Sequence, residues 1–410
     1  MARAVERHDI TMGAFSMKSC LALLVTAFLT IPVLAQNEEG PATAKGAAVD
    51  TTGKGYTAAF VIEPTTRRVL FEENAHVPLP TASMAKMMTA LITMEEIRDN
   101  RLKLTDPVTI SAKSSKMGGS QIYAKEGQQF PVQTLLQALM IQSANDAAVS
   151  LAEKVAGSEE SFADIMNQRA KALGLTESHF TDPHGLPNSA DPKAINTMSA
   201  HDLAILGVEL MKYPLMREYA KTPTLAFSNG TFTSGLTNPN HLINPHKVNY
   251  YEAATGIKTG YSGPAGYCVT ASAQKGDMEL VCVVMGARTG SGPLSSFGIA
   301  QKLMSQAFAQ YNMTTVLKKG ATVGQAPVTN GNAKSVPAVA AGDAKALVKR
   351  GEESSVKVAF NPTSITAPVT SGQPVGTVAV QQGGQTIAKV PAIAGGSVEK
   401  QPWWKSFWPF

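Results

Sequence analysis

Short apolar runs at residues 56–63 and 68–71, joined by Pro64-Thr65-Thr66, predict a β-hairpin at the start of the ordered pattern. The stretch from Ser83 to about Ile97 is apolar on nearly every face, which predicts a helix buried at the centre of a domain. Helical periodicity recurs over 132–141, 146–155, 159–173 and 200–211, with Ser158 and Ser199 as N-caps and Gly174 as a C-cap. After Lys221 the runs shorten to strand length at 225–232, 254–259, 267–273 and 280–285, and a last helix is predicted over 295–309. From Val316 onward the pattern changes again. Alternating strands are predicted at 355–360, 375–380 and 385–390 between Gly and Pro turns, and 328–345 reads as a loop inserted among them. The chain therefore predicts an α/β domain, with antiparallel strands and an inserted helical region, followed by a small all-β sandwich.

The two ends have patterns of their own. An apolar run at 21–35, preceded by Lys18 and closed by Val33-Leu34-Ala35, reads as a signal peptide cleaved after Ala35, with an uncleaved anchor as the alternative. Residues 36–54 are small and polar, a flexible leader. The catalytic-type domain then spans 55–312, the β-rich domain 313–396 and an aromatic tail 397–410. All three tryptophans, Trp403, Trp404 and Trp408, fall in that tail, a pattern suited to interfacial membrane anchoring. Residues 313–410 carry ten Lys and Arg against four Asp and Glu, whereas 36–312 is slightly acidic. That basic part would be drawn to anionic headgroups. In the exported chain only Cys268 and Cys282 remain, flanking a predicted turn at 275–277; a disulfide and two buried thiols both fit.

Three words occur in order along the chain: Ser83-Met84-Ala85-Lys86, Ser143-Ala144-Asn145 and Lys258-Thr259-Gly260. A serine hydroxyl needs a base within hydrogen-bond reach, and a lysine three residues on shares its helical face. Burial and a second cation, Lys258, would both disfavour the ammonium form of Lys86. Ser143 and Asn145 precede a helix and could cap it, or could handle a proton and a substrate amide. Gly260 would let the strand edge approach a bound peptide, and the Thr259 hydroxyl would meet a carboxylate. No Cys/His metal cluster, phosphate loop or nucleic-acid motif competes with this reading, and no metal or organic cofactor is implied.

These words, with His184-Gly185-Leu186, Gly263-Pro264-Ala265-Gly266-Tyr267 and Met285-Gly286-Ala287-Arg288-Thr289, resemble the low-molecular-mass penicillin-binding proteins of the D-alanyl-D-alanine carboxypeptidase family. The resemblance implies a serine β-lactamase-like catalytic domain, a β-rich domain and a C-terminal amphipathic anchor. It implies that Ser83, Lys86, Ser143, Asn145 and Lys258 are catalytic, and that Thr259, Gly260, Tyr261 and Arg288 bind substrate. The backbone N–H groups of Ser83 and Tyr261 would form the oxyanion hole, and His184 would shape a turn rather than act as a base. The chain departs from some relatives at Tyr261, where they carry histidine, and in a shorter loop before Lys125.

The reading that follows is a periplasmic serine carboxypeptidase, peripheral on the outer face of the inner membrane. It would remove the terminal D-alanine from peptidoglycan pentapeptide stems and be acylated by β-lactams. Three rivals stay open on sequence: a DD-endopeptidase with the same residues, a class A β-lactamase, and a catalytically quiet wall-binding protein. The β-lactamase is disfavoured by the second domain and by Ala144, where its middle word has aspartate.

Overall fold

The computed structural model describes residues 54–187, 191, 194–230 and 233–402. The signal segment, nearly all of the leader and the three tryptophans lie outside the described residues. Five antiparallel strands form the central sheet: β1 (Ala58–Glu63), β2 (Arg68–Glu73), β3 (Ala254–Ser262), β4 (Gly266–Lys275) and β5 (Met278–Ala287), in the order β2-β1-β5-β4-β3. The chain between β2 and β3 supplies a helical region on one face: α1 (Lys86–Arg98), α2 (Val132–Gln137), α3 (Asn145–Ala156), α4 (Glu159–Ala172), α5 (Ala200–Leu210) and α6 (Pro214–Lys221). A final helix, α7 (Ser296–Gln310), covers the other face.

The strands read as continuous apolar runs because both faces are buried. Along β1, Ala58, Phe60 and Ile62 enter the core under the helical region, while Ala59 and Val61 enter the core under α7. β5 divides the same way, Val281, Val283 and Met285 against Leu280, Cys282 and Val284. In α1 every residue from Lys86 to Met94 is buried, as expected of a helix with no solvent face. Ser158 and Ser199 cap α4 and α5, each hydroxyl accepting from the amide three residues on at 3.1 Å. Such a cap stabilises a helix by about 1 kcal/mol.

Four local expectations need correction. The helix predicted over 132–141 stops at Gln137 and continues as a wider π turn, Ala138–Gln142. The helix α6 was not anticipated, although Pro214 opens it and Met216, Tyr219 and Ala220 bury one face. The strand predicted over 225–232 is two paired antiparallel strands, Thr224–Ser228 with Thr233–Thr237. Residues 328–345 are not an inserted loop.

The second domain contains β6 (Tyr311–Leu317), β7 (Thr322–Thr329), β8 (Ser335–Ala340), β9 (Ala344–Lys349), β10 (Val356–Pro362), β11 (Ile365–Thr366), β12 (Pro374–Gln382) and β13 (Gln385–Ala394). Six strands form one sheet in the order β10-β12-β13-β8-β7-β11, and β6 pairs with β9. The supposed loop holds β8, whose Val336, Ala338 and Ala340 are buried in this domain's core on strict alternation. Small residues there weaken the hydrophobic signal without abolishing its period. β6 follows α7 without a linker, and Met313 and Leu347 join the core beneath α7. Arg68 fastens the junction, donating to the Leu347 carbonyl at 3.2 Å with its guanidinium over the Tyr311 ring.

Cys268 and Cys282 are free and buried. Cys282 lies opposite Ala271 in the β4–β5 register, and the two thiols enter different cores on opposite faces of the sheet. Burial pushes the Cys268 thiol up to about 12 and the Cys282 thiol higher still. Thiol titration of the chain from Gln36 should therefore find no reactive group in native protein and two in denaturant; none in denaturant would mean a disulfide.

Candidate active site

The first sequence word sits on a tight 3-10 turn, Ala82–Ala85, that runs directly into α1. Ala82 holds a left-handed backbone (φ 46°), a strained conformation for a residue with a Cβ, and it immediately precedes Ser83. Two glycines from separate segments close on this turn. A Cβ on Gly185, itself at φ +84°, would lie 2.0 Å from the Ala82 carbonyl oxygen. A Cβ on Gly260 of β3 would lie 2.8 Å from the Thr81 carbonyl oxygen and 3.2 Å from the Met84 nitrogen. Gly260 therefore serves the packing of the strand against the Ser83 turn, a reason different from the peptide approach inferred from sequence.

Lys86, with no solvent exposure, brings Nζ 2.8 Å from Ser83 Oγ and donates to the His184 carbonyl at 2.8 Å. Ser83 retains 8% exposure, so the hydroxyl is reachable while its amine partner is not. The second and third words meet each other. Lys258 on β3 donates to Ser143 Oγ at 2.7 Å and to the Thr259 carbonyl at 3.1 Å. The π turn ends at Ser143, which adopts a left-handed backbone (φ 62°) and is fully buried.

The helix-capping reading of Ser143 and Asn145 fails. Ala144 is the N-cap of α3 and no side chain caps it. Asn145 donates from Nδ2 to the Gly118 carbonyl at 2.7 Å, and its Oδ1 is buried without a hydrogen-bond partner among the described residues. Thr259 Oγ1 is buried and unpartnered in the same sense. Buried polar atoms left open are costly unless a ligand completes them. Tyr261 stacks on Tyr267 with ring centroids 4.4 Å apart, and β3 is the edge strand of the sheet. Arg288 is exposed just past the end of β5.

Three supports escaped sequence reasoning. Asp146, directly after the second word, accepts from the Ile122 and Ala124 amides at 3.0 and 3.3 Å, which holds the 118–124 segment over Asn145. Burial, opposed by these backbone hydrogen bonds, pushes its carboxyl up. Asp182 accepts from the His184 and Gly185 amides at 2.9 and 2.5 Å, and Asn196 ties the same turn to Thr81 through its own carbonyl at 3.1 Å. Glu159 at the start of α4 lies 3.3 Å from His184 Nε2 and 2.8 Å from Lys113 Nζ. The only sequence signal was, for the three acids, their position beside a motif or a cap; Asn196 carried none. The His184 ring thus turns Nε2 to Glu159 and accepts the Leu186 amide on Nδ1 at 3.0 Å, and its backbone carbonyl is what meets Lys86.

The chain matches the family description D-alanyl-D-alanine carboxypeptidase over residues 43–289 and penicillin-binding protein 5, C-terminal domain, over 311–400. It belongs to the D-alanyl-D-alanine carboxypeptidase family. It is 35% identical to D-alanyl-D-alanine carboxypeptidase DacF of Bacillus subtilis over 84% of this chain and 86% of that one. Among solved structures it is similar to a peptidoglycan synthesis regulatory factor (PBP3) of Streptococcus pneumoniae, with a TM-score of 0.74 and 26% identity over 84% of this chain and 99% of that one. The ampicillin-bound penicillin-binding protein D2 of Listeria monocytogenes is also similar, with a TM-score of 0.54 and 27% identity over 62% of this chain and 98% of that one.

Burial opposes the charge on Glu159, but hydrogen bonds from His184 and Lys113 outweigh it and hold the carboxyl below its ordinary value of 4.5. Its contribution to stability is therefore complete above that value and is lost as pH falls through the lower folded value. Denaturation measured from about pH 6 down to about pH 3 should show a shallower acid loss for Glu159→Gln than for wild type; parallel curves would refute this anchoring role.

Proposed function

We propose that the protein is a serine DD-carboxypeptidase that removes the terminal D-alanine of peptidoglycan pentapeptide stems. The observation that supports this most directly is the 2.8 Å approach of a buried Lys86 amine to Ser83 Oγ, with a second lysine on Ser143. In this reading the terminal carboxylate binds Thr259 and Arg288 beside the edge strand, with Gly260 and Tyr261 lining the approach. Asn145 Oδ1 accepts from the substrate amide. Ser83 Oγ attacks the D-Ala-D-Ala carbonyl as its proton passes to Lys86. The oxyanion is met by the backbone N–H groups of Ser83 and Tyr261. Collapse of the tetrahedral intermediate breaks the C–N bond, and the departing amine takes a proton through Ser143, held by Lys258. Water then adds to the ester, its hydroxyl stays on the shortened stem, and its proton restores Ser83. A β-lactam would form the same ester without a leaving group that diffuses away, which supports the reading that such drugs acylate Ser83.

The test is mass spectrometry of muropeptides incubated with wild type and Ser83→Ala. Pentapeptide monomers should lose one alanine with wild type only, while cross-linked dimers survive. Dimers split to monomers would replace this reading with an endopeptidase, and identical products from the two proteins would remove both.

We further propose that the protein is exported and held at the outer face of the inner membrane, in the periplasm. The apolar run at 21–35, the basic character of 313–410 and the aromatic tail support this. The tail is short, so its grip should be reversible. The chain from Gln36 should float with anionic phospholipid vesicles at low salt, and a version ending at Pro402 should stay in solution. Equal flotation of the two would assign the contact elsewhere.

A further inference from the structure

We propose that His76, Glu177 and His201 form a binding site for one divalent metal ion of the zinc class, separate from the serine site. One ligand atom from each residue lies within 4.8 Å of the other two. His76 Nδ1 is 3.5 Å from Glu177 Oε1, and His201 Nδ1 is 4.0 Å from Glu177 Oε2. Donors around a tetrahedral zinc ion, at bonds of about 2.0–2.1 Å, sit roughly 3.3 Å apart, so small side-chain adjustments suffice. Two imidazoles and a carboxylate are a donor set that suits zinc and leaves a fourth position for water.

The three residues come from segments that the fold holds together independently. His76 is in the link after β2, Glu177 in the turn after α4, and His201 in the first turn of α5. The His201 amide donates to the Ala75 carbonyl at 2.9 Å, and the Glu177 amide donates to Asp202 Oδ2 at 2.9 Å. Asp202, fully buried, places Oδ1 3.0 Å from His201 Nδ1. Asp202 thereby fixes the orientation of the His201 ring beside Glu177.

Charge points to the same ligand. With neutral imidazoles the cluster holds two carboxylates, Glu177 and Asp202, and no cationic partner among its own members. The imidazoles lie face to face with centroids 4.7 Å apart and a 32° tilt. A divalent ion would neutralise both carboxylates. The His76 side chain is 58% exposed, so an ion can enter from solvent.

The experiment is calorimetric titration of zinc chloride into chelator-stripped, untagged protein from Gln36 at neutral pH. One saturable site is expected, with at least a tenfold loss of affinity in His76→Ala and in His201→Ala. His246→Ala, an exposed histidine elsewhere, should bind as wild type. His76 is exposed enough that its replacement should not disturb folding, and labelling by fluorescent penicillin at the wild-type rate checks this. Absence of saturable binding, or equal affinity in wild type and His76→Ala, would overturn the site.

Discussion

A lysine amine held out of water against a serine hydroxyl constrains everything around it. Burying Lys86 is costly unless its nitrogen has partners, and the fold supplies Ser83 Oγ and the His184 carbonyl. These partners come from different parts of the chain. The hydroxyl is fixed by helical spacing within one segment, so it costs no long-range organisation. The carbonyl comes from a turn 98 residues away in sequence and must be positioned by the rest of the helical region. This explains why α1 is the central helix and why the 181–186 turn is so heavily braced by Asp182, Asn196 and Glu159.

Close packing does the remaining positioning. The Ser83 turn lies between Gly185 and Gly260, and at both places a single methyl group would collide with backbone rather than with a side chain able to move. Backbone contacts of this kind do not relax by rotamer change, so the turn is held in the strained form that Ala82 adopts. On the far side, the π turn delivers Ser143 in a left-handed conformation to Lys258. Serine there is not the residue of lowest backbone cost, since glycine would accept the same φ without strain. Its hydroxyl, in contact with Lys258, is the reason for it.

The parts legible in sequence were those with local causes. Ser83 and Lys86 are three apart on one helical face, the caps Ser158 and Ser199 precede apolar periodicity, and the buried strands are apolar runs. What escaped has long-range causes. Asn145 beside a helix start looks like a cap until the 118–124 segment is folded over it and takes its amide. Asp146 looks like a first-turn acid until Ile122 and Ala124 turn their amides to it. The strand β8 is made of small residues whose burial depends on β13 and β7, so its composition resembles a loop while its period is that of a strand.

Histidine gives the last discrimination about the chemistry. A serine hydrolase built on imidazole needs a ring nitrogen free to face the nucleophile. Here the ring that comes nearest in sequence logic, His184, turns Nε2 to Glu159 and accepts the Leu186 amide on Nδ1. The same residue still serves the site, because fixing the ring fixes the carbonyl that receives Lys86. The imidazole is thus placed as a brace, and the amines that meet the two serine hydroxyls belong to the buried Lys86 and Lys258. Both amines are kept dry, Lys86 by the packed first turns of α1 and Lys258 within the edge strand β3.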